Sequence, residues 1–360
     1  MPRIPLVDVK AQYGPLIEEL RQRFDAVLDS STFIRGPNVS AFEDEAAAYL
    51  GVAETIGVAN GTDALVLVLD AMGVGPGDEV ICPAFTFYAT AEAIARRGAT
   101  PVFADIDPAT LNLDPEDVAD RIGDRTRAIM PVHLFGRPAP VTELAGLGPP
   151  LIEDAAQAFG SPGIAQSPVS TFSFYPTKNL FGLGDGGLVA ANDEELAERI
   201  RMLAFHGSQD KNDFQFVGYN SRLDELQAAF LRVFLAHLDE WTRTRREAAA
   251  RYAELGLGEL VRIPEDGPGH VYHLYVCRSP DRDAIRQALS AAGIASAVYY
   301  GTALHLQPAL RFLGWEPGSL PETERAGQEN FAVPLWPGIP VDVQEQVVDV
   351  VRSAVGVGVR

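Results

Sequence analysis

Of the 29 basic residues in this 360-residue chain, only Lys10, Lys178 and Lys211 are lysines; the rest are arginines. Lys178 stands in STFSFYPTKNLFGLGDGG, residues 170–187, where an aromatic run of Phe172, Phe174 and Tyr175 ends at Pro176. The chain then breaks into glycines at 182, 184, 186 and 187. A primary amine that can lose its proton forms imines, and a guanidinium cannot replace it there. An ordinary lysine snorkels at the surface. This one, set among aromatics and glycines in a chain that prefers arginine, points instead to imine chemistry.

Three other stretches carry groups that such a lysine would need. In NGTDAL, residues 60–65, a glycine between a buried strand and a helix start exposes backbone N–H groups, and Thr62 adds a hydroxyl. That is a phosphate cradle, or simply an N-G turn with Thr62 or Asp63 capping the helix. In PPLIEDAAQAFG, residues 149–160, Asp154 ends a buried strand, where ligands of open α/β sheets bind. A buried carboxylate needs a cationic partner, and a protonated ring nitrogen would be one. Gln157, three residues on, is expected on the same helix face, in reach of a ring hydroxyl. CPAFTFYATAEAI, residues 82–94, offers Phe85, Phe87 and Tyr88 for stacking on a flat ring or for the core. Neither a G-x-G-x-x-G nor a P-loop occurs at NGTDAL, the serines lack a G-x-S-x-G elbow, and no His/Cys spacing indicates a metal site.

The elements that must position these groups alternate regularly. Strands are expected at 55–59, 79–82, 101–106, 128–132, 151–153, 171–174 and 187–191. Helices are expected at 15–29, 40–50, 64–72, 88–97, 115–122, 140–147 and 193–205. Strands separated by helices of this length predict a mostly parallel sheet covered on both faces. Residues 223–255 form one helical pattern without Gly or Pro, about 50 Å long if unbroken, so a bend near Asp239 is expected. Beyond it, strands at 271–277 and 297–300 and helices at 281–292 and 341–353 read as a smaller α+β unit. The division expected is a large domain over residues 1–240 and a small one over 241–360.

A net charge of −20 and a pI near 4.7 argue against nucleic acid or an anionic membrane as partner. Any phosphate ligand must therefore be held by local donors. Two distant cysteines, Cys82 and Cys277, imply no disulfide framework and a reduced, cytoplasmic setting. MPRIPLVDVK lacks the apolar core of a signal peptide, and the most apolar run, 64–74, is too short to span a bilayer.

Taken together, these motifs resemble the DegT/DnrJ/EryC1/StrS sugar aminotransferases, which have the fold-type I, aspartate-aminotransferase-like architecture. The likeness also runs through FIRGPNVSAFE (33–43), MPVHLFG (130–136), GYNSRLDELQAA (218–229), HLQPAL (305–310) and PLWPG (334–338), in unbroken order. It implies pyridoxal 5'-phosphate as cofactor, with Lys178 as Schiff-base lysine and proton-transfer base, and Asp154 paired with the ring nitrogen. It places Gln157 near the ring hydroxyl and Phe87 on the ring face. Gly61, Thr62 and Ser173 would hold the phosphate, with Asp63 also in the cofactor-binding set. Asn220 would reach the neighbouring subunit's cofactor, which implies a homodimer. Tyr299 and His305 fall where the family contacts substrate. The activity implied is ping-pong transfer of an amino group from L-glutamate to C3 or C4 of a nucleotide-linked keto-sugar, a deoxyhexose, in amino-sugar or surface-polysaccharide biosynthesis. A keto-inositol aminotransferase and a non-catalytic cofactor-bound regulator are the alternatives. The variants SRLDELQAA and GLGDGG lean toward 3-keto sugars. The connections at 138–150 and 161–169 are shorter than the family's usual ones, and loop contacts there do not transfer.

Overall fold

The computed structural model describes residues 3–357. In chain order the first unit comprises α1 (Val9–Tyr13), α2 (Ile17–Ser30), α3 (Pro37–Leu50), β1 (Glu54–Val58), α4 (Gly61–Ala71), β2 (Glu79–Pro83), α5 (Ala89–Arg96) and β3 (Thr100–Ala104). It continues through α6 (Pro115–Arg121), β4 (Thr126–Ile129), α7 (Val141–Ala145), β5 (Ile152–Asp154), β6 (Val169–Ser173), β7 (Gly187–Ala191), α8 (Glu194–Ala204) and α9 (Glu225–Leu235). Two ladders, β3-β2-β4 and β5-β6-β7-β1, are joined by parallel bridges at Ile129–Leu151 and Val132–Asp154. Pairings β2/β3, β2/β4 and β5/β6 are parallel, whereas β7 runs antiparallel to both β6 and β1. The parallel strands β2, β5 and β6 are almost wholly buried, as a sheet covered on both faces requires, although β5 and β6 carry polar residues (Glu153, Asp154, Ser170, Thr171). Their carboxyl ends, at Pro83, Asp154 and Ser173, mark the edge along which ligands bind.

The second unit holds α10 (Leu238–Glu254), β8 (Tyr275–Arg278), α11 (Arg282–Ala291), α12 (Pro321–Glu329), β9 (Asn330–Val333) and α13 (Val341–Val357). Helix α10 serves both cores: Leu238 and Trp241 pack with Phe181 and Phe234, while Ala248, Ala249 and Tyr252 pack with Tyr275, Phe331 and Val347. The long pattern over 223–255 breaks at Ala236–His237, close to the expected bend. The break lets both Phe234 (4.6 Å between ring centroids) and Trp241 (5.7 Å) stack on Phe181, three residues past Lys178. The chain start also belongs to this unit in part. Arg3 and Ile4 donate to the Gly293 carbonyl, and Leu335 N–H donates to that of Leu6.

Several expectations are corrected. The strand placed at 271–277 is shorter and later, Tyr275–Arg278, and its antiparallel partner β9 was not foreseen. Residues 297–300 make only one bridge, Ala297–Ala332, rather than a strand. The helix at 140–147 contracts to Val141–Ala145 between prolines and glycines. No helix follows Asp154; the chain turns there, so Gln157 is positioned by a turn rather than by a helical face.

One buried carboxylate organises the approach to the sheet. Glu225, at the start of α9, accepts from the backbone N–H groups of Gly36 (2.8 Å), Asn38 (2.9 Å) and Val39 (2.9 Å) and from the Asn38 amide (3.0 Å). These are donors left unpaired at the start of α3, and an anion there also interacts favourably with the positive end of the helix dipole. Among the described residues no helix is long and apolar enough to cross a membrane.

Candidate active site

A cavity of about 930 Å³ opens at the carboxyl ends of the strands, lined among others by Lys178, Asp154, Gly61, Thr62, Ser173 and Phe87. Its floor at one end is the start of α4. Asn60 caps that helix, its side chain accepting from Asp63 N–H at 2.8 Å, which leaves the Gly61 and Thr62 amides facing the cavity. Two close approaches need glycine. A Cβ on Gly61 would lie 2.7 Å from Ser173 Cβ, and one on Gly187 would lie 2.5 Å from the Asn60 carbonyl. With these glycines, β6, β7 and the helix start converge, and the Ser173 hydroxyl stands beside the α4 amides.

Lys178 follows β6 in a tight turn, its N–H bonded to the Tyr175 carbonyl at 2.8 Å. The glycine segment after it is pinned from α9, Gln227 Oε1 accepting from Leu183 N–H at 2.8 Å. Burial pushes the Lys178 amine down to about 8, against the opposing pull of the Asp154 charge. In cofactor-free protein, labelling of Lys178 by an amine-directed reagent should therefore rise with pH around a midpoint near 8, followed by peptide mass analysis. A midpoint at the ordinary lysine value of 10.5 would refute the shift.

Asp154 ends β5 and is buried. Its Oδ2 accepts from the Thr90 hydroxyl at 2.9 Å and its Oδ1 from Ala156 N–H at 3.2 Å. Burial raises its carboxyl above the usual range, while Thr90, Ala156 N–H and the Lys178 charge act the other way. A cation brought to this carboxylate would keep it ionised. The preceding residue faces the other side of the sheet. Glu153 accepts from His133 Nε2 (2.8 Å), Ala165 N–H (2.9 Å) and Ser167 N–H (2.6 Å). His133 Nδ1 accepts from Ala139 N–H at 2.9 Å, so the ring proton sits on Nε2 and is donated to Glu153. Despite burial, these donors hold the Glu153 carboxyl below its usual range. The trimmed connection at 161–169 is thus fastened directly beneath Asp154.

Other predicted residues are placed as follows. Gln157 is buried against the cavity, its Oε1 accepting from Phe135 N–H at 2.7 Å and its Nε2 donating to the Tyr300 hydroxyl at 3.0 Å. Phe87 is 56% exposed and lines the cavity. Tyr299 lines the cavity. Asn220 is exposed and lies outside its own chain's cavity. Asp63 and His305, too, are not brought to the cavity. The Asp63 side chain does not line it; only its backbone takes part, bonded to Asn60. His305 is buried instead against Phe103 and Trp315, with Nε2 3.1 Å from Glu324.

Sequence reasoning missed Asn60, Thr90, His273 and Tyr300. Asn60 and Thr90 lie inside stretches already singled out; Asn60, just before a helix start, had a capping signal, whereas the Thr90–Asp154 pairing had none. Tyr300 adjoins Tyr299 and stacks on Phe135 at 6.3 Å. His273 lines the cavity and is buried; burial, then Lys178 and Arg245, hold it well below the usual histidine range, so it is a neutral imidazole.

Residues 15–352 match the DegT/DnrJ/EryC1/StrS aminotransferase family. The chain is 46% identical to a pleiotropic regulatory protein of Geobacillus stearothermophilus, over 96% of this chain and 97% of that one. It is 43% identical to a dTDP-3-amino-3,4,6-trideoxy-alpha-D-glucose transaminase of Streptomyces venezuelae, over 98% and 96%. Among solved structures it resembles S. venezuelae DesV in complex with a ketimine intermediate, with a TM-score of 0.95, 42% identity and 99% of each chain covered.

Proposed function

The chain belongs to the DegT/DnrJ/EryC1/StrS aminotransferase family, and we propose that it moves an amino group from L-glutamate to the C3 keto group of a nucleotide-linked sugar, with pyridoxal 5'-phosphate as cofactor. The observation that carries this reading is one cavity holding Lys178, a buried carboxylate and a glycine-serine cradle at a helix start. The residues fit the cofactor. Gly61 and Thr62 amides with the Ser173 hydroxyl suit its phosphate, Asp154 its ring nitrogen and the exposed Phe87 side chain its ring. Gln157, whose amide also bonds the Tyr300 hydroxyl, would meet the ring hydroxyl. The 3-amino sugar in the Streptomyces transaminase's name supports C3 over C4.

When bound, the cofactor supplies an electron sink conjugated to the carbon from which a proton departs. The protein supplies the rest. Lys178, held with a depressed pKa, takes the proton from the amino-bearing carbon of the donor and returns one to the acceptor carbon. Asp154 keeps the ring nitrogen's proton in place through its charge, oriented by Thr90 and Ala156 N–H. With its phosphate in the cradle, the cofactor would be held at a constant distance from Lys178, and Phe87 would cover the ring face. L-glutamate leaves as 2-oxoglutarate before the keto-sugar enters the same cavity, a two-stage exchange.

We take the working form to be a homodimer, with Asn220 contributed to the partner's cavity. Asn220 is exposed, and Phe24, Leu28, Phe33 and Ile34 present an apolar surface that a second copy would cover. Two free, buried cysteines fit a cytoplasmic setting. A regulator without catalysis is the second reading, favoured by the name of the Geobacillus relative. Retention of both Lys178 and Asp154 in one cavity favours the enzyme.

The test is incubation of the holoenzyme with L-glutamate and a panel of 3-keto and 4-keto nucleotide sugars, with products read by mass spectrometry and NMR. A 3-amino product formed with an equal amount of 2-oxoglutarate is expected. Turnover of 4-keto sugars alone overturns the C3 assignment, and absence of any amino transfer sinks the enzymatic reading.

A further inference from the structure

A second, much smaller cleft shares Leu274 with the wall of the catalytic cavity and is otherwise built by different residues. Three of them are arginines: Arg137, Arg262 and Arg278. Arg262 and Arg278 lie directly opposite each other in an antiparallel bridge, exchanging N–H···O bonds of 3.0 and 2.8 Å. Side chains so paired leave the backbone on one side, and like charges placed there repel. The arrangement is made costlier by burial, for Arg278 is only 5% exposed.

The partners these guanidiniums do have are neutral. Arg137 Nη1 donates to the Glu265 backbone carbonyl at 2.8 Å, and Arg278 Nη2 donates to that of Pro108. Among the described residues, none of the three forms an ion pair with a carboxylate. Glu265 lines the cleft mouth as an exposed residue, and Glu322 and Glu329 act on Arg278 only at longer range, offset by Arg262 and Arg325. In a chain of net charge −20, three arginines without an ion-pair partner line one cleft against a single lining carboxylate, Glu265, a local excess of positive charge.

We propose that this cleft, framed by the Arg262–Arg278 cross-strand pair and Arg137, is a binding site for a phosphate group. Guanidinium forks from adjacent strands, with a third from the facing loop, offer more donors than the two oxygens of a carboxylate use. The oxygens of a phosphate can take the donors that the Glu265 and Pro108 carbonyls leave free. The cleft is small, about 30 Å³, and opens to solvent, so it suits an oxyanion head and leaves any larger body outside. Bound there, the phosphate turns the repulsion between Arg262 and Arg278 into two attractions. The site is separate from the cradle at Gly61 and Ser173, and the inference does not depend on what the enzyme aminates.

Isothermal titration of the holoenzyme with inorganic phosphate at constant ionic strength tests it, the cofactor occupying the cradle throughout. Binding of one equivalent is expected in the unmodified protein. Arg262→Gln, at an exposed position, should weaken it roughly tenfold or more, the loss expected for charged hydrogen bonds, with transamination unchanged. Arg278→Lys should weaken it while keeping the charge, because the fork is lost. Equal affinity in Arg262→Gln, an equal response to chloride, or no binding at millimolar phosphate would each overturn the proposal.

Discussion

Lys178→Ala should lower the turnover number roughly 10⁴-fold or more, because it removes the nucleophile and the proton-transfer base together. The same variant should lose the covalent link between chain and cofactor. Borohydride reduction of the unmodified holoenzyme should fix the cofactor on the peptide carrying Lys178; with only Lys10 and Lys211 as other lysines, mass mapping is unambiguous. A structural role alone would not produce this pair of results. The Lys178 side chain meets no acceptor among the hydrogen bonds of the described residues, and its amine is disfavoured as a cation by burial, so the fold gains little from it. Cofactor retained by phosphate and ring contacts, with turnover lost, is the expected phenotype. If purified Lys178→Ala still transaminates at the unmodified rate, the assignment of Lys178 is wrong.

Much of this site was legible because its members sit in short local patterns. Strand and helix periods are local, and so are Lys178 before a glycine run, Asp154 after an apolar run, and Gly61 between a strand and a helix. What escaped are pairings that only the fold creates. Thr90 meets Asp154 across 64 residues and Tyr300 meets Gln157 across 143. Neither leaves a periodic trace. The alternation at 297–300 looked like a strand, but its backbone finds one bridge, since Tyr299 and Tyr300 face the cavity and Tyr299 N–H is taken by the Asn330 side chain at 2.8 Å. His305 shows the converse. A motif placed it at substrate, whereas aromatic packing and Glu324 hold it in the interior of the single chain.

Asp154→Asn should lower the turnover number by roughly 10²–10⁴-fold while leaving the fold and cofactor binding intact, the range typical of losing one positioned proton-holding group. The replacement is isosteric. Thr90 can still bond the side chain and Ala156 N–H still meets an oxygen, so the packing around β5 is preserved. Only the charge goes. The protein has already accepted an unfavourable burial of this carboxylate, shown by the upward push on its pKa, and a neutral amide would relieve it. Asp154→Asn is therefore expected to match or exceed the unmodified protein in thermal stability, while failing to hold the ring nitrogen's proton. That split separates function from structure. The visible absorbance of the bound cofactor should titrate differently with pH, because the charge that keeps the ring nitrogen protonated is absent. A variant that keeps its turnover within tenfold and its spectrum unchanged would mean that the buried carboxylate serves the sheet rather than the ring.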